Sequence, residues 1–258
     1  ALINQLDQEI INTGGDYFSE QVNSLFVKIR KNNKWGITKL NQWIIEPKYD
    51  YLGDLNDGIF MAQIDGKYYY FDTTGKKITD KNFPLAGDFS EGLAFVSYND
   101  TFYFLNTKGE LALRSNIPIF SSFKYGVCIM YSAGKFGLIN KKGELVADMI
   151  YDNMSEFIEG RAIVEIGYLK NFILPNGKLL CKSSYEAVTP FSEGIASVLK
   201  NGSWGLIDSN GKEIGGFQYD YIEPFCNGFA RVYSAGLSGF INKKGKLIVP
   251  LEYATVKP

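Results

Sequence analysis

The sequence contains no histidine. This absence excludes histidine-dependent catalytic triads, histidine acid–base catalysis and histidine metal ligands together. Only four arginines are present, so bidentate clamps for phosphate or carboxylate groups are scarce. The formal net charge is −1, which gives no electrostatic reason to expect binding to nucleic acid or to an anionic membrane.

Cysteines are also few, and long apolar runs are missing. Cys128, Cys181 and Cys226 lie far apart and form no Cys-x-x-Cys pair, so we predict buried free thiols rather than a zinc site. No apolar run approaches the roughly 18 residues of a membrane-spanning helix. We therefore expect no metal, no cofactor and no membrane span. Because the chain starts at alanine, both an exported form with its signal peptide removed and a cytoplasmic protein are compatible with it, and the localisation is left open.

Glycine, in contrast, is abundant and regularly spaced. One series of glycines recurs every 34 residues from 58 to 228, and a second series with the same period runs from 75 to 245. Two independent series with one period indicate a tandem repeat. We predict a single domain of seven complete units, at 21–54, 55–88, 89–122, 123–156, 157–190, 191–224 and 225–258. Residues 1–20 are predicted to be an N-terminal half-repeat that caps the array.

Each glycine series ends a short motif. The first closes a turn whose fullest form is Phe-Ser-Glu-Gly, as at 89–92 and 191–194. The second closes a turn that starts with Asp or Asn, as at 72–75 and 140–143. This second pattern predicts a type I turn in which the Asx side chain bonds the turn backbone and the glycine has the positive φ of a bulged hairpin.

The segments between the turns predict an all-β fold. They are four to seven residues long, are bounded by Gly, Asn or Asp, and show no helical periodicity. In the unit 191–224 we expect strands at 195–200, 204–208 and 212–214, and a short fourth strand at 219–222. The second strand is almost wholly apolar, so neighbouring units must cover both of its faces. We favour tandem hairpin repeats in an open solenoid-like or superhelical array, with a closed seven-bladed β-propeller as the alternative.

Several motifs together resemble the bacterial WG (KWG) repeat over the whole chain: Lys-Trp-Gly-Ile at 34–37, Ser-Trp-Gly-Leu-Ile-Asp at 203–208, Gly-Lys at 211–212, Tyr-Asp at 219–220 and Phe-Ser-Glu-Gly at 191–194. The resemblance implies an all-β repeat and little chemistry, since most of the family has no assigned activity. The chain departs from the pattern where Tyr69, Tyr103 and Asn171 replace the glycine after the Trp position. A weaker, local resemblance links 66–76 to the aromatic hairpins of choline- and glucan-binding cell-wall repeats, which implies glycan binding.

Acidic residues also recur with the repeat. Glu20, Glu91, Glu159 and Glu193 stand in turns, and Asp50, Asp152 and Asp220 each follow a tyrosine. One acid per unit at the same turn is typical of hydrogen bonding to turn amides rather than of a catalytic pair. None of these spacings matches a calcium loop of the EF-hand kind.

The leading hypothesis is therefore a non-catalytic protein that presents a binding or scaffold surface to a protein, peptide or glycan. The alternative is a carboxylate-based, glycosidase-like hydrolase with two acids from different units. No catalytic residue is predicted, and the oligomeric state is left open. The predicted ligand-binding residues are Tyr68, Tyr69, Tyr70, Trp35, Trp204 and Lys170.

Overall fold

The structure, a computed structural model, describes the backbone of residues 2–3, 9–11, 18–21, 25–40, 42–119 and 121–254, and the side chains from 25 onward over the same ranges. These residues form strands, turns and bends and include no helix, which confirms the all-β prediction. The chain divides into two compact units, Ala1–Lys124 and Tyr125–Pro258. The predicted half-repeat at 1–20 lies largely outside the described residues. Two of its segments, β1 (Leu2–Ile3) and β2 (Glu9–Ile11), pair antiparallel.

The first unit contains three further antiparallel sheets. Sheet 1 consists of β3 (Phe18–Gln21), β4 (Phe26–Lys31), β5 (Lys34–Lys39) and β6 (Gln42–Tyr49). Sheet 2 consists of β7 (Tyr51–Asn56), β8 (Ile59–Ile64) and β9 (Lys67–Asp72). Sheet 3 consists of β10 (Leu85–Ala86), β11 (Leu93–Tyr98), β12 (Thr101–Asn106) and β13 (Leu111–Ser115).

The second unit contains four antiparallel sheets. Sheet 4 consists of β14 (Val127–Ser132), β15 (Lys135–Asn140) and β16 (Leu145–Tyr151), and sheet 5 of β17 (Asn153–Met154), β18 (Ala162–Ile166) and β19 (Leu169–Ile173). Sheet 6 consists of β20 (Ala187–Val188), β21 (Ile195–Lys200), β22 (Ser203–Asp208) and β23 (Glu213–Tyr219). Sheet 7 consists of β24 (Tyr221–Ile222), β25 (Phe229–Ser234), β26 (Leu237–Asn242) and β27 (Leu247–Ala254).

In five sequence repeats the short fourth strand joins the sheet of the next repeat: β7, β10, β17, β20 and β24 pair with β8, β11, β18, β21 and β25. The segment predicted at 219–222 supplies β24, which pairs with β25. Asp220 explains the assignment, because its amide donates to Tyr233 O at 2.8 Å and its Oδ2 accepts from the Ala235 amide at 2.7 Å. The sheets are therefore offset by one strand from the units counted along the sequence.

The Asx-Gly turns have the predicted structure. Asp72 Oδ1 accepts from the amides of Thr74 at 2.8 Å and Lys76 at 3.0 Å, and the same bonds recur at Asn106, Asn140, Asp208 and Asn242. The fourth residue, as at Gly75, has a positive φ. The ladder register shifts beside the turn, for example between Phe104 and Leu105, which is the expected bulge.

The two glycine series are required for different reasons. Gly109, in an Asx turn, has φ +81°, and a Cβ there would lie 1.9 Å from Ile78 O of the preceding sequence repeat. Gly92, in a Phe-Ser-Glu-Gly turn, has φ +86°, but a Cβ there would meet nothing within 4 Å. The Asx-turn glycine therefore permits close approach between repeats, whereas the other glycine is needed for its backbone conformation alone.

Within each of the two compact units the sheets stack in chain order through apolar clusters, as the predicted solenoid-like stacking of hairpins requires. We call the side of a sheet that packs on the following sheet its trailing face, and the opposite side its leading face. Between sheets 6 and 7, the trailing residues Leu206 and Tyr219 pack with the leading residues Val232 and Ile241. The closed seven-bladed ring stays a prediction.

The phenylalanine of each Phe-x-x-Gly turn covers the trailing face nineteen residues upstream. Phe89 packs on Tyr70 with the ring centroids 5.2 Å apart, and Phe191 packs on Phe172 at 4.8 Å. Cys128 and Cys181 are buried free thiols, as predicted. The prediction was wrong for Cys226, which is exposed because it lies in the turn itself.

In sheets 1, 4 and 7 the third strand packs closely on the glycine that follows the Trp position. At Gly36, Gly137 and Gly239 a Cβ would lie within 2.6 Å of an atom of that strand. Sheet 5 has Asn171 at this position and lacks a regular third strand. The buried Asn171 side chain instead accepts from the Cys181 amide at 3.2 Å and donates to Cys181 O at 3.0 Å. These two bonds replace part of the backbone hydrogen bonding that a third strand would supply.

Candidate functional site

The repeated glutamates bind turn amides, but those of the following repeat. Glu159 accepts from the amides of Glu193 at 2.8 Å and Gly194 at 2.9 Å, and Glu193 accepts from the Gly228 amide at 2.9 Å. A hydrogen bond from Lys243 and the turn amides hold the pKa of Glu193 below its usual value, against the opposing effect of desolvation. These carboxylates are therefore structural couplers between repeats. The prediction of a turn was wrong for Glu20, which lies in β3, and its side chain lies outside the described residues.

The aspartates that follow a tyrosine bind hairpin turns. Asp152 accepts from Lys135 Nζ at 2.5 Å and from the Gly167 amide at 2.7 Å, and these two bonds lower its pKa. Asp50 makes the equivalent bonds to Lys34 and to the Asp65 amide, with the same effect on its pKa. Among the described residues, no group of three or more His, Cys, Asp and Glu side chains is placed to hold a metal ion. The same part of the chain contains no helix long and apolar enough to cross a membrane.

The structure places the predicted tyrosine cluster largely between sheets. Tyr70 is fully buried, its hydroxyl donates to Gly87 O at 2.6 Å, and burial raises its pKa. Tyr68 packs at the margin of the cluster between sheets 2 and 3, and Tyr69 at the margin of the cluster between sheets 1 and 2. Because Tyr70 contacts only the interior, we leave it out of the binding surface proposed below.

The other three predicted residues are half-buried and lie in different sheets. The ring of Trp35 lies 5.8 Å from the Arg30 guanidinium. Lys170 pairs with Glu165 opposite it in the ladder, with 3.1 Å between Nζ and Oε2. Trp204 packs edge-on against the exposed Tyr221, with the centroids 5.6 Å apart. Of the six predicted residues, four lie in the first compact unit and two, Lys170 and Trp204, in the second.

A different surface stands out when equivalent positions are compared between sheets. Tyr253 of β27 is 59% exposed and Phe240 of β26 is 41% exposed. At the Tyr253 position, sheets 1, 2, 4, 5 and 6 hold a ring that is at most 6% exposed, and at the Phe240 position they hold a side chain that is at most 2% exposed. Phe229 is 47% exposed, against 4% for its equivalent Phe26. The trailing face of sheet 7 is thus an apolar surface that its counterparts bury.

Arg231 is the polar group on this face. Its guanidinium lies 5.1 Å from the centre of the Tyr233 ring and donates to Ser238 Oγ at 3.2 Å. Its Nε is buried without a hydrogen-bond partner. The Tyr233 hydroxyl donates to Glu223, and this bond raises the pKa of Tyr233. We call Phe229, Arg231, Phe240 and Tyr253 the end face.

The repeat itself identifies the family. The sequence profile described as WG containing repeat matches residues 37–68, 70–102, 136–169, 172–204, 204–236 and 239–258, which together make up well over half of the chain. This chain belongs to the WG containing repeat family. The resemblance predicted from the motifs is confirmed. No curated protein is significantly similar to this WG-repeat chain in sequence.

Distant likenesses to solved structures are also found. Kluyveromyces lactis Hsv2 is 10% identical, with a TM-score of 0.42 over 92% of this chain and 97% of that one. A eukaryotic initiation factor is 10% identical, with a TM-score of 0.46 over 89% and 74%. The WD40 β-propeller domain of Doa1 is 13% identical, with a TM-score of 0.32 over 86% and 92%. Likeness at this level assigns no function to the WG-repeat chain.

Reasoning from the sequence did not single out the end face. Phe240 and Tyr253 occupy repeat positions at which the other WG repeats of the chain have core residues, so their residue type marks them as core. Only Arg231 differs in residue type from its equivalents in a way that the sequence reveals, since the equivalent positions in sheets 2 and 4 hold Met61 and Ile129. An arginine at a position that is apolar in four of the other six sheets is the feature that could have pointed to this face.

Proposed function

We propose that this chain is a non-catalytic binding protein that holds a polypeptide partner on the end face. The exposure of Tyr253, 59% against at most 6% at five equivalent positions, is the observation that supports it most. Burying a large apolar side chain contributes about 1.5–3 kcal/mol. Three such side chains offset part of the roughly 4–15 kcal/mol that association costs, and polar contacts with the partner must supply the remainder.

A polypeptide is favoured over a glycan by what covers the equivalent surfaces. Five trailing faces of this chain are packed against another β-sheet. Their ring-to-ring contacts are tilted or edge-to-face, as in that of Phe89 on Tyr70 at an interplanar angle of 77°, and are not flat platforms for a sugar. The end face has the same residue types at the same positions as these covered trailing faces. We therefore expect it also to pack against a polypeptide.

A displayed peptide library panned against the full chain tests this proposal. We expect the enriched peptides to lose binding to Phe240→Lys and Tyr253→Lys, which disrupt the end face at exposed positions. Tyr168→Lys is the matched control, because Tyr168 is 92% exposed in the β18–β19 hairpin. Peptides that bind all three variants equally would refute the proposal, and selective retention on a glycan array would replace it with a glycan-binding function.

One observation favours the hydrolase alternative. Asp54 and Asp88, from successive repeats, lie close enough to interact. Burial raises the pKa of Asp88, and the negative charge of Asp54 raises it further. A carboxylic acid with a raised pKa beside a second carboxylate is what an acid–base pair needs. Lys28 gives Asp54 a structural role as well, since the two pair at 2.8 Å. Turnover of a panel of chromogenic glycosides that is lost in Asp88→Asn would establish the enzyme, and no turnover would remove it.

A further inference from the structure

Sheet 1 shows how this fold covers a cation on a trailing face. Lys28 in β4 and Arg231 in β25 are equivalent, because each is the third residue of its strand and pairs across the ladder with the equivalent residues Ile37 and Phe240. Lys28 is only 6% exposed, and its Nζ lies 2.8 Å from Asp54 Oδ1, a carboxylate supplied by sheet 2. A buried cation of this kind requires such a partner.

The covering segment has a defined chemistry. Asp54 is followed by Leu55, which packs into the cluster between sheets 1 and 2. One repeat later, Asp88 is followed by Phe89, whose ring packs on Tyr70. Tyr70 is the equivalent of Phe240. In both cases an acidic residue directly precedes the apolar residue that covers the trailing face.

Sheet 7 lacks both parts of this arrangement among the described residues. Phe240 is 41% exposed, where Tyr70 is fully buried. Arg231 forms no ion pair in the described part of the chain, and its Nε has no acceptor. The end face therefore presents a ring without a covering ring, beside a guanidinium that forms no ion pair within the described ranges. Glu223, whose amide donates to Arg231 O, accepts instead from the Tyr233 hydroxyl.

Building on the binding function proposed above, we infer that the partner presents an acidic residue directly followed by an aromatic one. The aromatic ring packs on Phe240 and Tyr253, as Phe89 packs on Tyr70. The carboxylate pairs with Arg231, as Asp54 pairs with Lys28. Charge-assisted bonding to a guanidinium is both stronger and more directional than a neutral hydrogen bond, so this contact fixes the register of the bound segment.

This chain supplies its own probe. A fluorescein-labelled peptide with the sequence of residues 84–96, which contains Asp88 and Phe89, is titrated with the full chain and followed by anisotropy. We expect saturable binding that weakens about tenfold when the peptide has Asp88→Asn, the size of a lost charge-assisted bond. Arg231→Gln should weaken binding of the parent peptide by a similar factor and make the two peptides bind equally, which shows that the two groups act on each other.

Two controls separate this inference from the proposed function. Tyr168→Lys, remote from the end face, should bind both peptides as the parent chain does. Library peptides selected on the end face should be enriched in Asp or Glu followed by Phe, Tyr or Trp. If selected peptides need Phe240 but lack this pair, and the 84–96 peptide does not bind, the acidic–aromatic partner is refuted while the binding function stands. If no peptide depends on Phe240, both fail.

Self-association provides a further check. Sedimentation of the full chain at increasing concentration should show a monomer. A dimer that is abolished by Phe240→Lys and retained in Tyr168→Lys would make a second copy of the chain the occupant, and would overturn the inference.

Discussion

Replacing Gly109 by alanine isolates the close approach between repeats. Gly109 has φ +81°, and a Cβ there would lie 1.9 Å from Ile78 O. Gly92, in the same repeat, has φ +86° and open space around a Cβ. Both alanine variants incur the cost of a left-handed residue, about 1–2 kcal/mol. Only Gly109→Ala must also separate two backbones, and overpacking of this kind costs a further ~1–3 kcal/mol.

Urea unfolding followed by tryptophan fluorescence measures the difference, since Trp35 and Trp43 lie in the same unit as both glycines. We expect Gly109→Ala to lower the free energy of unfolding by about 2–5 kcal/mol and Gly92→Ala by about 1–2 kcal/mol. Gly245→Ala is a second control, because it belongs to the same series as Gly109 but its Cβ would lie 3.5 Å from the nearest atom. Equal losses for Gly109→Ala and Gly92→Ala would show that the backbone approach does not constrain the repeat.

Three further predictions concern the couplers and the core. Glu193→Gln should lower the Tm at neutral pH. The pKa of Glu193 is lower in the folded chain than its usual value of 4.5, so the ionised carboxylate stabilises the fold fully above pH 4.5. The difference in Tm from the parent should vanish as the pH falls through the folded pKa. A difference that persists at low pH would contradict this. Asn171→Ala should lower the free energy of unfolding by about 1–3 kcal/mol for each buried group that it leaves unpaired. An unchanged urea midpoint would show that the bonds of Asn171 to Cys181 do not stabilise the fold. Tyr70→Phe should cost about 1 kcal/mol by losing the bond to Gly87 O, with binding at the end face unchanged, whereas lost binding at full stability would return Tyr70 to the ligand site.

Local chemistry was predictable from the sequence, because it depends on residues close together in the chain. Asp72 and Gly75 lie within one turn, so the Asx bonds and the positive φ follow from residue type alone. The fourth strand was also found, but its sheet was not. The bonds that assign β24 to sheet 7 run from Asp220 to Tyr233 and Ala235, across a repeat boundary that periodicity does not reveal.

The candidate site was harder to predict, because exposure depends on what covers a residue. Tyr70 and Phe240 occupy the same repeat position with similar side chains, yet one is fully buried and the other is 41% exposed. A repeat pattern treats them alike. The predicted site instead followed residues that break the repeat, which led to the tyrosine cluster at 68–70 and not to the trailing face of sheet 7. Comparing exposure at equivalent positions, which requires coordinates, separates them.

The couplers between repeats share a property with consequences for how such chains change over evolutionary time. Glu159 and Glu193 reach the backbone amides of the next turn, and Ser90 and Ser192 donate to the carbonyls of Phe123 and Phe225 at 2.6 and 2.8 Å. These bonds go to backbone groups, so they do not depend on which side chains the neighbour has, although Glu193 also pairs with the Lys243 side chain. When a repeat is copied, deleted or exchanged by recombination, we therefore expect these backbone bonds to form with the new neighbour without a compensating substitution.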